Sequence, residues 1–117
     1  MRTPPKLTVR FFRADAGNEP VREWLKALSS DERKAIGEDI LTVQYGWPIG
    51  MPLTRALGGG LHEVRSDLGG SRIARVIFVV VGGTAILLHG FIKKTQKAPK
   101  QDLDLARQRL RRLRADK

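Results

Sequence analysis

The apolar run from Val76 to Leu88, broken at Gly82-Gly83, limits the possible folds more than any other part of the chain. A membrane-crossing helix needs about 20 consecutive apolar residues. This run is shorter, and a glycine pair between β-branched segments is a hairpin turn signal. It therefore reads as parts of two strands, Arg72 to Val81 and Thr84 to Lys93. A further strand, Leu61 to Asp67, precedes them, with a turn at Asp67 to Gly70. Three consecutive strands with tight turns imply an antiparallel meander.

The remaining segments must cover that sheet. Leu7 to Arg13 is β-rich and partly alternating, and reads as a first strand. Asn18 or Glu19 can cap a helix with Pro20 in its first turn. Val21, Trp24, Leu25 and Leu28 then share one helical face, and Trp24 reads as core. Ser29 and Glu32 have capping-box spacing, so a second helix starts there. Ile36, Ile40 and Val43 form its buried stripe, and Gly46-Trp47-Pro48 ends it. Ile49 to Gly60 reads as a loop. Gly58-Gly59-Gly60 lacks the Lys-Ser/Thr of a phosphate loop and reads as a turn. Asp102 to Arg114 is a final helix, with Leu103, Ala106, Leu110 and Leu113 on one side. The expected fold is α+β: a small, mainly antiparallel sheet with an N-terminal helical hairpin, in the order β-α-α-β-β-β-α.

The length of 117 residues suits one domain, 1–117, with a core that needs no staples. No cysteine is present, so disulfides and thiolate metal sites are excluded. Met1 to Arg10 lacks an apolar signal core, which with the absent cysteines gives a cytoplasmic expectation. The net charge is +10 and uneven. Residues 93–117 hold ten Lys/Arg against three Asp/Glu, and residues 1–92 hold twelve against nine. A basic pole of this kind suits nucleic acid, an acidic protein or an anionic membrane.

The strand ends carry the polar groups. Leu61, Glu63 and Arg65 share one side of their strand by alternation, and Arg75 lies with Ile73, Ile77 and Val79. Arg72 shares the other side with Ala74, Val76 and Phe78. His89, Phe91 and Lys93 share a side with Leu87 in regular alternation. Lys93, Lys94, Lys97 and Lys100 then fall within eight residues, with Thr95 and Gln96 among them. Such a cluster suits a phosphate-rich polymer. Its structural alternative is a solvated strand end whose lysines block edge pairing. Glu63 is an available carboxylate partner for Arg65 or Arg75. His62 reads as packing or surface, and His89 alone as a structural histidine.

No Cys nucleophile, defensible Ser/His/Asp pattern or metal-ligand spacing is present, so no cofactor or metal is expected. RNA cleavage by its own 2′-hydroxyl fits a cationic set. The protein need only align that oxygen, take its proton, neutralise the phosphate and protonate the leaving 5′-oxygen. Arginine forks suit phosphate oxygens, and lysine supplies point charge.

Three strings carry a family resemblance: Leu61-His-Glu-Val-Arg65, Arg72-Ile-Ala-Arg75-Val-Ile-Phe, and Leu87-Leu-His-Gly-Phe-Ile-Lys-Lys-Thr-Gln-Lys-Ala-Pro-Lys100. They resemble the phage-derived HigB-like branch of the RelE toxin superfamily. The similarity runs from Phe11-Phe12 through Ala106. It implies a RelE-like fold and the toxin of a type II toxin–antitoxin pair. Such a toxin cuts ribosome-bound mRNA without metal and leaves a 2′,3′-cyclic phosphate. It also implies a helix-turn-helix antitoxin, with operator DNA contacted only through the toxin–antitoxin complex. By this resemblance Arg65 and Arg75 bind phosphate and transition-state charge, and Lys93 or Lys94 is the proton-transfer or leaving-group partner. His89 and Gln96 are further catalytic candidates. Arg72, Lys97 and Lys100 are RNA-binding candidates, as is Phe91 by stacking, with core packing its alternative. The position after Leu61, commonly a large aromatic in this group, is His62 here.

Two rival readings remain. One is a non-catalytic basic module that binds RNA or DNA beside a partner protein. The other is a membrane-surface protein using the 103–113 stripe, which is narrow and lacks Trp or Phe.

Overall fold

A computed structural model describes residues 3–93 and 99–115. The elements run β1 (Thr8–Phe11), α1 (Pro20–Lys26), α2 (Ser30–Gly46), β2 (Thr54–Gly58), β3 (Leu61–Gly69), β4 (Arg72–Val81), β5 (Thr84–Lys93) and α3 (Lys100–Ala115). The α+β expectation holds. The sheet has five strands in the order β1-β5-β4-β3-β2. β2 through β5 form an antiparallel meander, and β1 pairs with β5 in parallel.

Local signals account for most boundaries. Ser29 caps α2, accepting from the Glu32 N–H while the Glu32 carboxylate accepts from the Ser29 N–H. This capping box satisfies two donors at a helix start that has no preceding turn. Glu19 is the N-cap of α1, with Pro20 following. Gly82 and Gly83 turn β4 into β5 with φ of 54° and 81°, a conformation glycine adopts without a Cβ clash.

Two departures from the sequence reading matter for the site. The segment read as a loop contains β2, which pairs Thr54 with Val64, Arg55 with Glu63 and Ala56 with His62. Thr54 is buried, and its hydroxyl donates to the Ile49 carbonyl. Such a short edge strand takes its order from the neighbouring ladder rather than from its own composition, so it leaves little trace in sequence.

The second departure is a β-bulge in β5. Ile77 pairs with His89 and Phe78 with Leu87, so Leu88 is an extra residue opposite the join. A bulge shifts side-chain parity by one. Leu87 therefore packs toward α1 and α2, while Leu88, His89, Phe91 and Lys93 turn toward α3. Regular alternation would have kept His89, Phe91 and Lys93 with Leu87.

The sheet is buried on both sides. Ile36, Val43, Val64, Val76, Phe78 and Leu87 form the core beneath α1 and α2. Leu61, Ile77, Val79, Leu88, Ala106 and Leu110 form the second core, beneath α3. Trp24 of α1 packs on β5 at Gly90, where an added Cβ would lie 2.4 Å from the indole. Gly90 is thus a packing requirement within the His-Gly-Phe string. His62 lies in an aromatic group with Trp47 and Phe78, at ring-centroid distances of 4.9 and 5.6 Å. It occupies the place of a large aromatic, as packing.

Candidate nucleic-acid interface

α3 packs chiefly on β5, and on the same side of the sheet Arg55 of β2 is exposed and Arg65 of β3 keeps 14% of its side chain exposed. Strand register brings basic residues together there. Arg55, Glu63, Ile77 and His89 form one row across β2 to β5. Arg65, Arg75 and Phe91 form the next, and Asp67, Ile73 and Lys93 the third. Arg65, Arg75, His89 and Lys93 thus share a face because the β5 bulge puts the last two there.

Glu63 is the anchor of this group. Its side chain is 0% exposed. Arg75, also 0% exposed, places Nη1 3.7 Å from Glu63 Oε1. Arg65 places Nε 4.0 Å from the same oxygen, with its side chain 14% exposed. A buried carboxylate alone would be costly; two flanking guanidinium groups compensate it and leave net positive charge. Burial pulls the Arg75 guanidinium below its ordinary pKa, while Glu63 opposes that shift and Arg65 and Arg55 reinforce it. A cleft of about 410 Å³ opens beside Arg65, lined also by Leu53, Asp67 and Ile73.

His89 and Phe91 serve the docking of α3. His89 Nε2 lies 2.6 Å from Asp102 Oδ1, and its Nδ1 lies 3.4 Å from Arg109 Nη1. A carboxylate can only accept, so Nε2 donates to Asp102. Arg109 also donates to the Leu88 carbonyl at 2.7 Å, and burial lowers its pKa. Phe91 is 7% exposed and stacks against His89 at 5.4 Å.

Several expected roles change accordingly. Arg75 does not reach the surface, so direct contact with a phosphate, expected for it from sequence, is closed to it. Phe91 is core, and its ring has no face free for a base. Arg72 lies on the opposite side of the sheet, where Nη1 pairs with Glu32 Oε2 at 2.5 Å. That pair ties β4 to α2 and holds the Glu32 carboxyl below its ordinary pKa. Lys93 and Lys100 are exposed at the end of β5 and the start of α3. Lys94, Gln96 and Lys97 lie outside the described residues.

The structure adds three residues that sequence reasoning missed. Arg55 enters through β2, inside the 49–60 segment whose prolines and glycines read as a loop. Asp102 and Arg109 stand seven residues apart on α3 and so on one helical face, a spacing that could have drawn attention to them beside the Leu103, Ala106 and Leu110 stripe. A separate cavity of about 530 Å³ lies along β1 beneath Arg10, Arg13 and Arg22, away from the Glu63 cluster. Among the described residues no three His, Asp or Glu side chains converge as a metal-ligand set, and no helix is long and apolar enough to cross a membrane.

No curated protein in the comparison matches the chain. Among known families, residues 23–111 match the one described as phage derived protein Gp49-like (DUF891). The match spans α2, all of β2 to β5 and the first three-quarters of α3, and the chain belongs to this toxin-like family, which is related to the RelE- and HigB-type toxins.

Proposed function

We propose that the chain is the toxin of a type II toxin–antitoxin pair, of the HigB-like branch, and that it cleaves ribosome-bound mRNA in the cytoplasm. The observation that carries this reading is the net-positive Arg65–Glu63–Arg75 group, with Arg65 reaching solvent on the α3 side of the sheet, in a Gp49-like chain. RNA supplies its own nucleophile. The 2′-hydroxyl gives its proton to solvent as its oxygen attacks the adjacent phosphorus, the P–O5′ bond breaks, and the products are a 2′,3′-cyclic phosphate and a free 5′-hydroxyl. Arg65, oriented by Glu63, binds the non-bridging phosphate oxygens as their charge grows. Arg75 adds charge from beneath. Lys93, or Lys94 beside it, delivers a proton to the leaving 5′-oxygen. His89, engaged by Asp102 and Arg109, positions α3 and the β5 end rather than shuttling the proton. Gln96, Lys97 and Lys100 extend the contact along the strand. The neutralising partner is a helix-turn-helix antitoxin, and operator DNA is met only through the complex.

The test is induced expression with primer-extension mapping of mRNA. Wild type arrests growth with codon-spaced cuts. Arg65→Ala and Lys93→Ala, with folding retained, lower cleavage at least about tenfold, the loss of about 1.4 kcal/mol of transition-state binding. A folded, partner-free wild type that neither arrests translation nor cuts mRNA removes the reading. The alternative, a non-catalytic basic binder, is supported by the ten Lys/Arg of residues 93–117. It predicts arrest or RNA binding without cyclic-phosphate ends.

A further inference from the structure

We propose that Arg55 is a phosphate-binding residue of this face, taking a backbone phosphate that flanks the one at Arg65, so that single-stranded RNA crosses the sheet from β5 toward β2. The inference rests on the functional reading above and deepens it by assigning a strand path.

Three observations carry it. Arg55 is cross-strand from Glu63, and the preceding Thr54 is buried toward the α1–α2 side. Alternation then aims Arg55 to the same side as Arg65, whose side chain is partly exposed. Arg55 is exposed, and among the described residues no carboxylate forms an ion pair with it. The nearest candidate, Glu63, is fully buried and already flanked by Arg65 and Arg75.

The third observation is electrostatic. Two guanidinium groups flank one carboxylate, and Arg55, cross-strand from that carboxylate, is close enough that its charge disfavours the charged form of Arg75. A fold gains nothing from adding a third cation there. An anionic polymer lying over Arg55 and Arg65 would offset that repulsion.

The distances fit. Lys93 and Arg55 stand three strand spacings and two rows apart, roughly 14 Å across the sheet and roughly 14 Å along it, so the diagonal is about 20 Å. At the roughly 3.4 Å rise per nucleotide of a helical strand this path covers about six nucleotides, and fewer in an extended one. Lys93, Arg65 and Arg55 then lie along a single phosphate track. The competing role for Arg55 is a charged guard against edge pairing on β2.

The test uses the full chain freed of partner protein and a short 2′-O-methyl RNA, which lacks the attacking hydroxyl. Binding is followed by fluorescence anisotropy across a salt series. Arg55→Gln is expected to weaken binding about fivefold or more at low salt. It should also flatten the log–log salt slope by about 0.7, one single-strand phosphate contact. Arg55→Lys keeps the slope. Lys34→Gln, the same charge change on an exposed site of α2, leaves both unchanged. Wild-type binding with unaltered affinity or slope in Arg55→Gln overturns the inference and leaves the toxin reading standing. Association of Arg55→Gln into larger species with intact RNA binding assigns the residue to edge protection and also overturns it. A wild type that binds no RNA overturns both.

Discussion

Glu63 shows how one side chain organises the chemistry around it. It is fully buried, yet two arginines reach it from β3 and β4. Removing it takes a carboxylate from beside the buried Arg75, and breaking a buried pair in this way costs about 3–5 kcal/mol. Glu63→Ala is therefore expected to unfold at much lower urea, by about that free energy. The milder Glu63→Gln keeps the shape and loses the charge. Both are read from urea melts followed by circular dichroism. Equal stability of Glu63→Ala and wild type would show that Glu63 does not compensate Arg75. Arg65 has a different dependence: with 14% of its side chain exposed it can keep part of its hydration, so its removal should spare the fold and spend its effect on RNA.

Packing between elements depends on a few contacts of unusual closeness. α1 reaches β5 because Gly90 has no side chain beneath the Trp24 ring. Gly90→Ala would set a Cβ 2.4–2.9 Å from three ring carbons, and the ring or the helix must move. Overpacking of this kind costs about 1–3 kcal/mol. We expect the Gly90→Ala protein to melt several degrees lower, and Trp24→Leu in the same chain to recover part of the loss. Additive effects of the two substitutions would argue against direct contact. On the other side of the same strand, α3 is held by apolar packing and by the Asp102–His89–Arg109 group, next to the lysine-rich sequence 93–100. The strand that presents the basic residues is thus clamped from both sides.

The molecule as a whole should lose stability toward acid in two windows. Burial lowers the His62 pKa below its ordinary 6.5, so His62 favours folding fully only above that value. As pH falls from about 6.5, the unfolded chain binds a proton that the folded chain resists, and stability declines. Glu32, lowered from 4.5 chiefly by Arg72, adds stability above 4.5 that is lost as pH falls through its folded value. His62→Phe, which keeps an aromatic ring between Trp47 and Phe78, is expected to abolish the first decline and leave the second. Denaturation midpoints measured from pH 7 to 4 would show it. An unchanged profile in His62→Phe would assign the first decline to another group.

Much of this protein was determined by local sequence chemistry. The capping box at Ser29, the glycine turn at 82–83 and the strand and helix periodicities specify elements from contacts within a few residues, and those signals survive in one dimension. The basic strings at Arg65, Arg75 and Lys93 were equally legible as residue types, as was Glu63 as a carboxylate partner for Arg65 or Arg75; that it serves both was not. What each residue faces was decided only by tertiary pairing. The one-residue bulge at Leu88 moves His89, Phe91 and Lys93 to the α3 side. β2 exists because β3 offers it a ladder, and it brings Arg55 into the basic row. Arg72 is drawn to Glu32, and Phe91 and Arg75 are sealed from solvent. Each depends on register or on partners distant in the chain, and parity along a strand is lost to sequence reading as soon as one extra residue enters the ladder.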